Sequence, residues 1–154
     1  MQANGEILKI ILPLFFGLGI FLFLWLAIMY LTSITSGWGK LSKHYLFKER
    51  NTLPILEKSF QSAQFGWANY NYIIKFLFYP DGLGIEVFTI FAFKHPKLFI
   101  PWKDIYLKEI DNSLFSRNKI EIGNPNLTNM RINKSNLETM LPYLNKSNSK
   151  DDNW

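Results

Sequence analysis

Two histidines, His44 and His95, are the side chains of this 154-residue chain best suited to moving a proton near neutral pH. His95 is the more suggestive, set between Lys94 and Pro96 in a turn-like run. A catalytic histidine needs a nucleophile or an orienting carboxylate, and the residues around His95 offer neither a serine–aspartate arrangement nor a carboxylate pair. A turn histidine before proline more simply fixes its loop by hydrogen bonding. With no cysteine in the chain and its acids scattered, the histidines have no metal-ligand spacing, and thiolate and disulfide chemistry are absent. No glycine-rich phosphate loop or nucleophile elbow occurs. The expectation is a protein that binds rather than reacts, with no catalytic residue, no cofactor, no metal and no small-molecule substrate.

Residues suited to binding are better represented. Trp102, flanked by Pro101 and Lys103-Asp104, either enters a small β core, where an indole contributes a large apolar surface, or stands exposed as an anchor for a partner. The run from Lys97 to Pro101 resembles a recognition edge, and prolines also guard edge strands from unwanted pairing. Lys97, Phe99, Trp102 and Lys103 form the candidate partner-binding set. Lys75, Lys94, Lys97, Lys103 and Lys108 could make a basic face, for which solvated charge is the plainer account. Nucleic acid is not an expected partner, because arginine is scarce and no RNA- or DNA-binding motif is present.

These residues are positioned by two unlike parts of the chain. From Ile10 to Leu31 there is almost no polar side chain, which supplies the ~20 apolar residues that a membrane-spanning helix needs. Residues 10–34 read as a transmembrane helix behind a short tail at 1–9. A cleaved signal peptide fits less well, since its apolar region is ~7–15 residues and ends at a small-x-small site. Gly17 and Gly19 lie on different faces, and no ionisable residue enters the span, so neither a helix-pairing motif nor an ion pathway is read there. The net charge of +5 is concentrated after the helix, where Lys40, Lys43, Lys48 and Arg50 face only Glu49. Lys9 and Glu6 nearly cancel on the other side. The positive-inside rule then places the remainder of the chain in the cytoplasm.

In the juxtamembrane stretch 35–55, Trp38, Leu41 and Tyr45 recur at helical spacing. Trp38, Lys40, Lys43 and Tyr45 are the candidate membrane-interface residues, because aromatic rings and lysines favour the headgroup level. A short helix packing its apolar side on the folded domain satisfies the same spacing equally well.

From 56 to 146 the pattern fits a small α+β domain. Tyr70, Tyr72, Ile74, Phe76 and Phe78 alternate on one face of a strand, and Tyr79-Pro80-Asp81-Gly82 supplies a turn. Leu83 to Phe91, Leu98 to Trp102, Asp104 to Asp111, Phe115 to Ile122 and Leu127 to Ile132 read as further strands, with turns at Lys94 to Lys97, Asn112-Ser113 and Gly123 to Asn126. Ser135 and Glu138 form a capping box that opens a C-terminal helix with Leu137, Met140, Leu141 and Leu144 on its apolar face. Pro142 is expected to kink or shorten that helix, and 147–154 reads as a flexible tail. Six or seven antiparallel strands in a barrel or sandwich closed by one C-terminal helix is a pleckstrin-homology-like architecture.

Asp81-Gly82-Leu83, the run His95-Pro96-Lys97-Leu98-Phe99-Ile100-Pro101-Trp102-Lys103-Asp104-Ile105, and the upstream Gly37, Trp38, Leu41 and Tyr45 together resemble a family of bacterial single-pass membrane proteins with no assigned activity. The resemblance covers about Gly37 to Ile110 and implies a bacterial inner membrane. The first hairpin turn is acidic at Asp81, where lipid-binding pleckstrin-homology domains carry basic side chains. The expected function is a membrane-anchored, non-catalytic interaction module, serving a membrane-protein partner as accessory subunit, assembly factor or scaffold. The alternative is a peripheral sensor of anionic lipid that uses the basic collar.

Overall fold

A computed structural model describes the backbone of residues 2–110 and 117–151 and the side chains of residues 7–110 and 117–145. Helix α1 (Gln2–Thr35) contains the apolar run, and Ile7–Thr35 is long and apolar enough to cross a membrane. Gly37 ends it. Its φ of 75° belongs to the left-handed region that glycine enters without a Cβ penalty, and its amide donates to the Ile34 carbonyl at 3.2 Å. The chain then turns directly into α2 (Trp38–Tyr45).

Seven strands follow: β1 (Leu56–Phe65), β2 (Ala68–Phe78), β3 (Gly82–Val87), β4 (Leu98–Pro101), β5 (Ile105–Glu109), β6 (Arg117–Ile122) and β7 (Thr128–Asn133). They form one antiparallel sheet in the order β4-β3-β2-β1-β7-β6-β5, curled into a half-barrel. Helix α3 (Lys134–Asp151) packs on it. The expected architecture of one apolar helix, an antiparallel sheet and a C-terminal helix is thus present.

Local departures from the sequence reading have local causes. Tyr72 does not share the inner face with Tyr70, Ile74, Phe76 and Phe78, but is 72% exposed. Between the pairs Gln61↔Ile74 and Ala63↔Tyr70, two steps along β1 oppose four along β2. The bulge puts Tyr72 at φ 58°, with its amide donating to Ser62 Oγ at 2.9 Å. The strand read over Leu83 to Phe91 is β3 and stops at Val87, because Phe88 leads into a single 3-10 turn at Thr89–Phe91. Trp102 likewise opens a 3-10 turn instead of ending β4. No capping box forms at Ser135: Asn133 is the cap, its Oδ1 accepting the Asn136 amide at 2.8 Å. Pro142 does not end α3, which continues to Asp151. The expected Asn112-Ser113 turn and residues 152–154 of the tail lie outside the described residues.

The half-barrel has a tryptophan at each end. At the β1–β2 hairpin end, the Trp38 ring lies 5.1 Å from Phe65, 5.6 Å from Tyr70 and 5.2 Å from His95, between centroids. At the other end of β2, Trp102 stacks on Tyr143 of α3 at 5.0 Å and on Phe78 at 6.3 Å. Between them Ile74, Phe76, Leu83, Ile85, Ile100, Ile120, Ile122, Met130 and Met140 complete the core.

Candidate functional site

The hairpin end of the barrel is fastened to the last turns of α1. From Ile7 to Leu24 the helix is exposed on every side, whereas Trp25, Met29, Ser33 and Ser36 are half-buried or buried at three- and four-residue spacing. That spacing is one helical face. It meets three separate parts of the domain, the first being the β3–β4 connection: Trp25 packs on Phe91 at 5.2 Å, and Ser33 Oγ donates to the Lys94 carbonyl at 2.7 Å. The Trp67 amide donates to the Thr35 carbonyl at 3.4 Å, and Thr128 Oγ1 donates to the Ser36 carbonyl at 3.0 Å. Gly66, at φ 52°, allows this approach, since a Cβ there would come within 2.8 Å of the Thr35 carbonyl oxygen.

Helix α2 divides the four expected membrane-interface residues. Trp38 is fully buried, and its indole N–H donates to the Pro96 carbonyl at 2.9 Å, so its ring does not face headgroups. Leu41 is buried beside it. Tyr45 is half-buried next to Asp104; burial and that carboxylate push its hydroxyl up to about 12. The apolar stripe of α2 therefore serves the core, the second of the two arrangements its spacing permits. Lys40 and Lys43, on the opposite side, are exposed.

Those two lysines line a recess of about 460 Å³ where α1, α2 and the β3–β4 loop converge. Tyr30, Ser33 and Ile34 form its α1 wall, Lys40, Ser42 and Lys43 its α2 wall, and Lys94 and Pro96 come from the loop. No acidic residue lines it. Lys94 holds φ 59°, a left-handed backbone that costs a side-chain-bearing residue about 1–2 kcal/mol, and the Ser33 hydroxyl secures its carbonyl there. His95, next in sequence, is buried. A carbonyl only accepts, so Nδ1–H donates to Phe93 O at 2.8 Å and Nε2 accepts from the Tyr70 hydroxyl at 2.8 Å. Burial lowers the His95 pKa, against the smaller raising effect of the Phe93 carbonyl. This is a loop-fixing histidine. Burial likewise raises Tyr70 to about 12.

Five cations on or beside the sheet have acidic partners: Lys75 with Glu57 at 2.7 Å, Lys97 with Glu86 at 3.7 Å, Lys108 with Glu121 at 3.3 Å, Lys119 with Glu109 at 3.6 Å, and Arg50 with Asp81. Two others donate to uncharged groups, Lys58 to Thr139 Oγ1 at 2.7 Å and Arg117 to Asn69 Oδ1 at 2.8 Å. Among the described residues, Lys40, Lys43 and Lys94 pair with no carboxylate.

The expected partner-binding residues are not gathered into one open patch. Trp102 is buried, its indole N–H donating to the Tyr79 carbonyl at 3.0 Å, so it packs into the core, the first of its two expected settings. Phe99 is half-buried beneath the Arg50 guanidinium at 3.9 Å, and the ammonium of Lys97 lies 4.1 Å from the Phe47 ring centre. Lys103 alone of the four is exposed. The end of β4 at Lys97-Leu98 is also taken, because Leu46 bridges Leu98 and the Phe47 amide donates to the Lys97 carbonyl at 2.9 Å. Sequence reasoning placed Lys94 in a diffuse basic face and missed Tyr30 and Ser33, which lie within or beside the apolar run. The described residues contain no cluster of three or more histidine, aspartate and glutamate side chains able to hold a metal.

The chain matches no protein-family model, no curated protein and no solved structure.

Proposed function

We propose that this is a single-pass membrane protein without catalytic function, in which α1 crosses the bilayer and holds a pleckstrin-homology-like domain against its surface as an interaction module. One observation carries the reading: α1 is exposed on all sides over Ile7–Leu24, about 27 Å at 1.5 Å per residue, and turns a face to the domain only from Trp25 onward. That length suits a hydrocarbon core of ~30 Å. The part of the apolar run beyond it is the part the domain grips, so the domain sits at a fixed height where the helix emerges. Exposed apolar side chains at the same end support the seating, with Trp67 88%, Ile90 71% and Phe93 43% exposed. Lys40, Lys43, Lys48 and Arg50 favour a cytoplasmic domain and an outward amino terminus, and the motif resemblance favours a bacterial inner membrane. In this role the module serves a membrane-protein complex as accessory subunit, assembly factor or scaffold.

The seating is tested on full-length protein in liposomes, using single cysteines, of which the chain has none. A polarity-sensitive dye at Ile90→Cys should be quenched by lipid-borne quenchers. A dye at Leu53→Cys, 86% exposed near the opposite end of the sheet, should report water. Equal water exposure at both sites, or extraction of the protein from membranes by alkaline carbonate, would overturn the reading. The accessory role predicts a stoichiometric membrane protein captured by crosslinking in host membranes.

A further inference from the structure

We propose that the recess between α1, α2 and the β3–β4 loop binds the phosphate-bearing headgroup of an anionic phospholipid, whose acyl chains run down α1 past Ile34 and Tyr30. This inference rests on the proposed membrane crossing of α1 and adds a ligand to it. Three features of the recess converge on that chemistry. The first is charge: Lys40, Lys43 and Lys94 reach the recess from two elements, no acid lines it, and none of the three is neutralised by a carboxylate among the described residues. Lysines left unpaired around one concavity repel one another unless an anion joins them.

The second is depth. The α1 wall from Tyr30 to Ile34 lies about 9–15 Å beyond Leu24 at 1.5 Å per residue, so the recess opens just outside the ~5–8 Å headgroup layer, a gap that lysine side chains reach across. The third is shape and composition. A volume of about 460 Å³ accommodates a glycerophosphate headgroup, the hydroxyl of Tyr30 offers a hydrogen bond to it, and Ile34 continues the wall as apolar surface toward the span. The loop is also built to hold its lysine. Lys94 is kept in a left-handed backbone by the Ser33 hydroxyl on one side and the fixed His95 on the other, so the point from which its side chain leaves the loop is set before any ligand arrives. Lipid headgroups beside the span lie within lysine reach of the recess at high local concentration.

The test is lipid binding to the full-length protein in neutral detergent, read as adducts by native mass spectrometry. Phosphatidylglycerol should be retained at least about tenfold better than phosphatidylcholine. The Lys40→Gln/Lys43→Gln/Lys94→Asn variant should lose roughly 100-fold in phosphatidylglycerol affinity, taking about fivefold per lysine at a membrane surface. Asparagine is used at 94 because it tolerates the left-handed backbone. The Lys40→Gln/Lys43→Gln pair leaves the loop untouched and keeps the test decisive if the change at Lys94 disturbs folding. Lys48→Gln/Lys103→Gln, which removes two charges outside the recess, should retain the preference. Equal binding of the two lipids by the wild type, or an undiminished preference in both recess variants, would overturn the proposal. Displacement of the lipid by millimolar inorganic phosphate or glycerol phosphate would overturn the lipid as source in favour of a soluble phosphate. Alkaline extraction of the same proteins separates the two readings: a protein that stays in membranes without lipid preference retains the anchor and loses the site.

Discussion

The two ends of the half-barrel use the same device for different purposes. Each is filled by a tryptophan whose indole N–H is satisfied by a backbone carbonyl, Pro96 for Trp38 and Tyr79 for Trp102. At the Trp102 end the neighbours are Phe78 and Tyr143, and the contact ties the C-terminal helix to the sheet. At the Trp38 end the neighbours include Tyr70 and His95, and a network of hydroxyls and carbonyls continues into α1 through Ser33 and Ser36. The first end holds the fold together; the second holds the fold to the helix. Stacked rings suffice for the former, whereas a defined angle and height relative to α1 call for directional bonds.

Truncating either tryptophan is the largest test of this contrast. Trp38→Ala and Trp102→Ala should each lower stability by about 3–5 kcal/mol, the range for removing a buried aromatic side chain. Their local consequences should differ. Trp38→Ala should open the Thr35–Trp38 junction to protease while α3 stays protected, and Trp102→Ala should release α3 first. The same order of cleavage in both variants would mean that the ends are not independent.

A smaller and more selective change is Gly66→Ala. Its positive φ and the 2.8 Å approach of a Cβ to the Thr35 carbonyl predict a loss of about 1–3 kcal/mol, confined to the contact between hairpin and helix. Hydrogen exchange should speed up at Trp67 and at the β3–β4 loop, leaving β5 and β6 unchanged. Uniform acceleration across the sheet would show that the hairpin contact is part of the global core instead of a separable dock.

How much of this the sequence disclosed follows the same division. Six of the seven strands were legible because a buried inner face enforces alternation, as in Ile74, Phe76 and Phe78, whereas β1 was not read, since two register shifts break its alternation. Tyr72 broke the pattern because a bulge is a backbone event with no composition of its own. The apolar run was legible by length alone. What α2 does with Trp38 was not, since burial against a sheet and burial among headgroups favour the same stripe of residues. The recess was least legible, because Lys94 lies more than fifty positions from Lys40 and only the return of the β3–β4 loop to the hairpin end brings them together. The unpaired state of those lysines is also invisible until the pairs made elsewhere are known.

The smallest expected effect depends on pH and isolates the polar character of the Trp38 end. His95 is neutral in the folded protein, and burial lowers its pKa below the ~6.5 of an unfolded histidine. As pH falls through 6.5, the unfolded chain binds a proton that the folded chain refuses, so its stabilisation, complete above ~6.5, is lost progressively toward the folded pKa. Carboxylates elsewhere also titrate in acid, so the informative quantity is the difference from His95→Gln, whose carbonyl can still accept from the Tyr70 hydroxyl but does not titrate. Between pH 7 and 5 the wild type should lose stability more steeply than this variant, measured by thermal unfolding of the full chain in detergent. The loss should begin at the helix junction, because protonated Nε2 can no longer accept from Tyr70. The contact of Trp102 with Phe78 and Tyr143 contains no histidine, so it should outlast the junction. Parallel pH profiles for the wild type and His95→Gln would mean that the histidine is fixed by packing alone, and the contrast between the two ends would then rest on hydrogen-bond geometry, with charge playing no part.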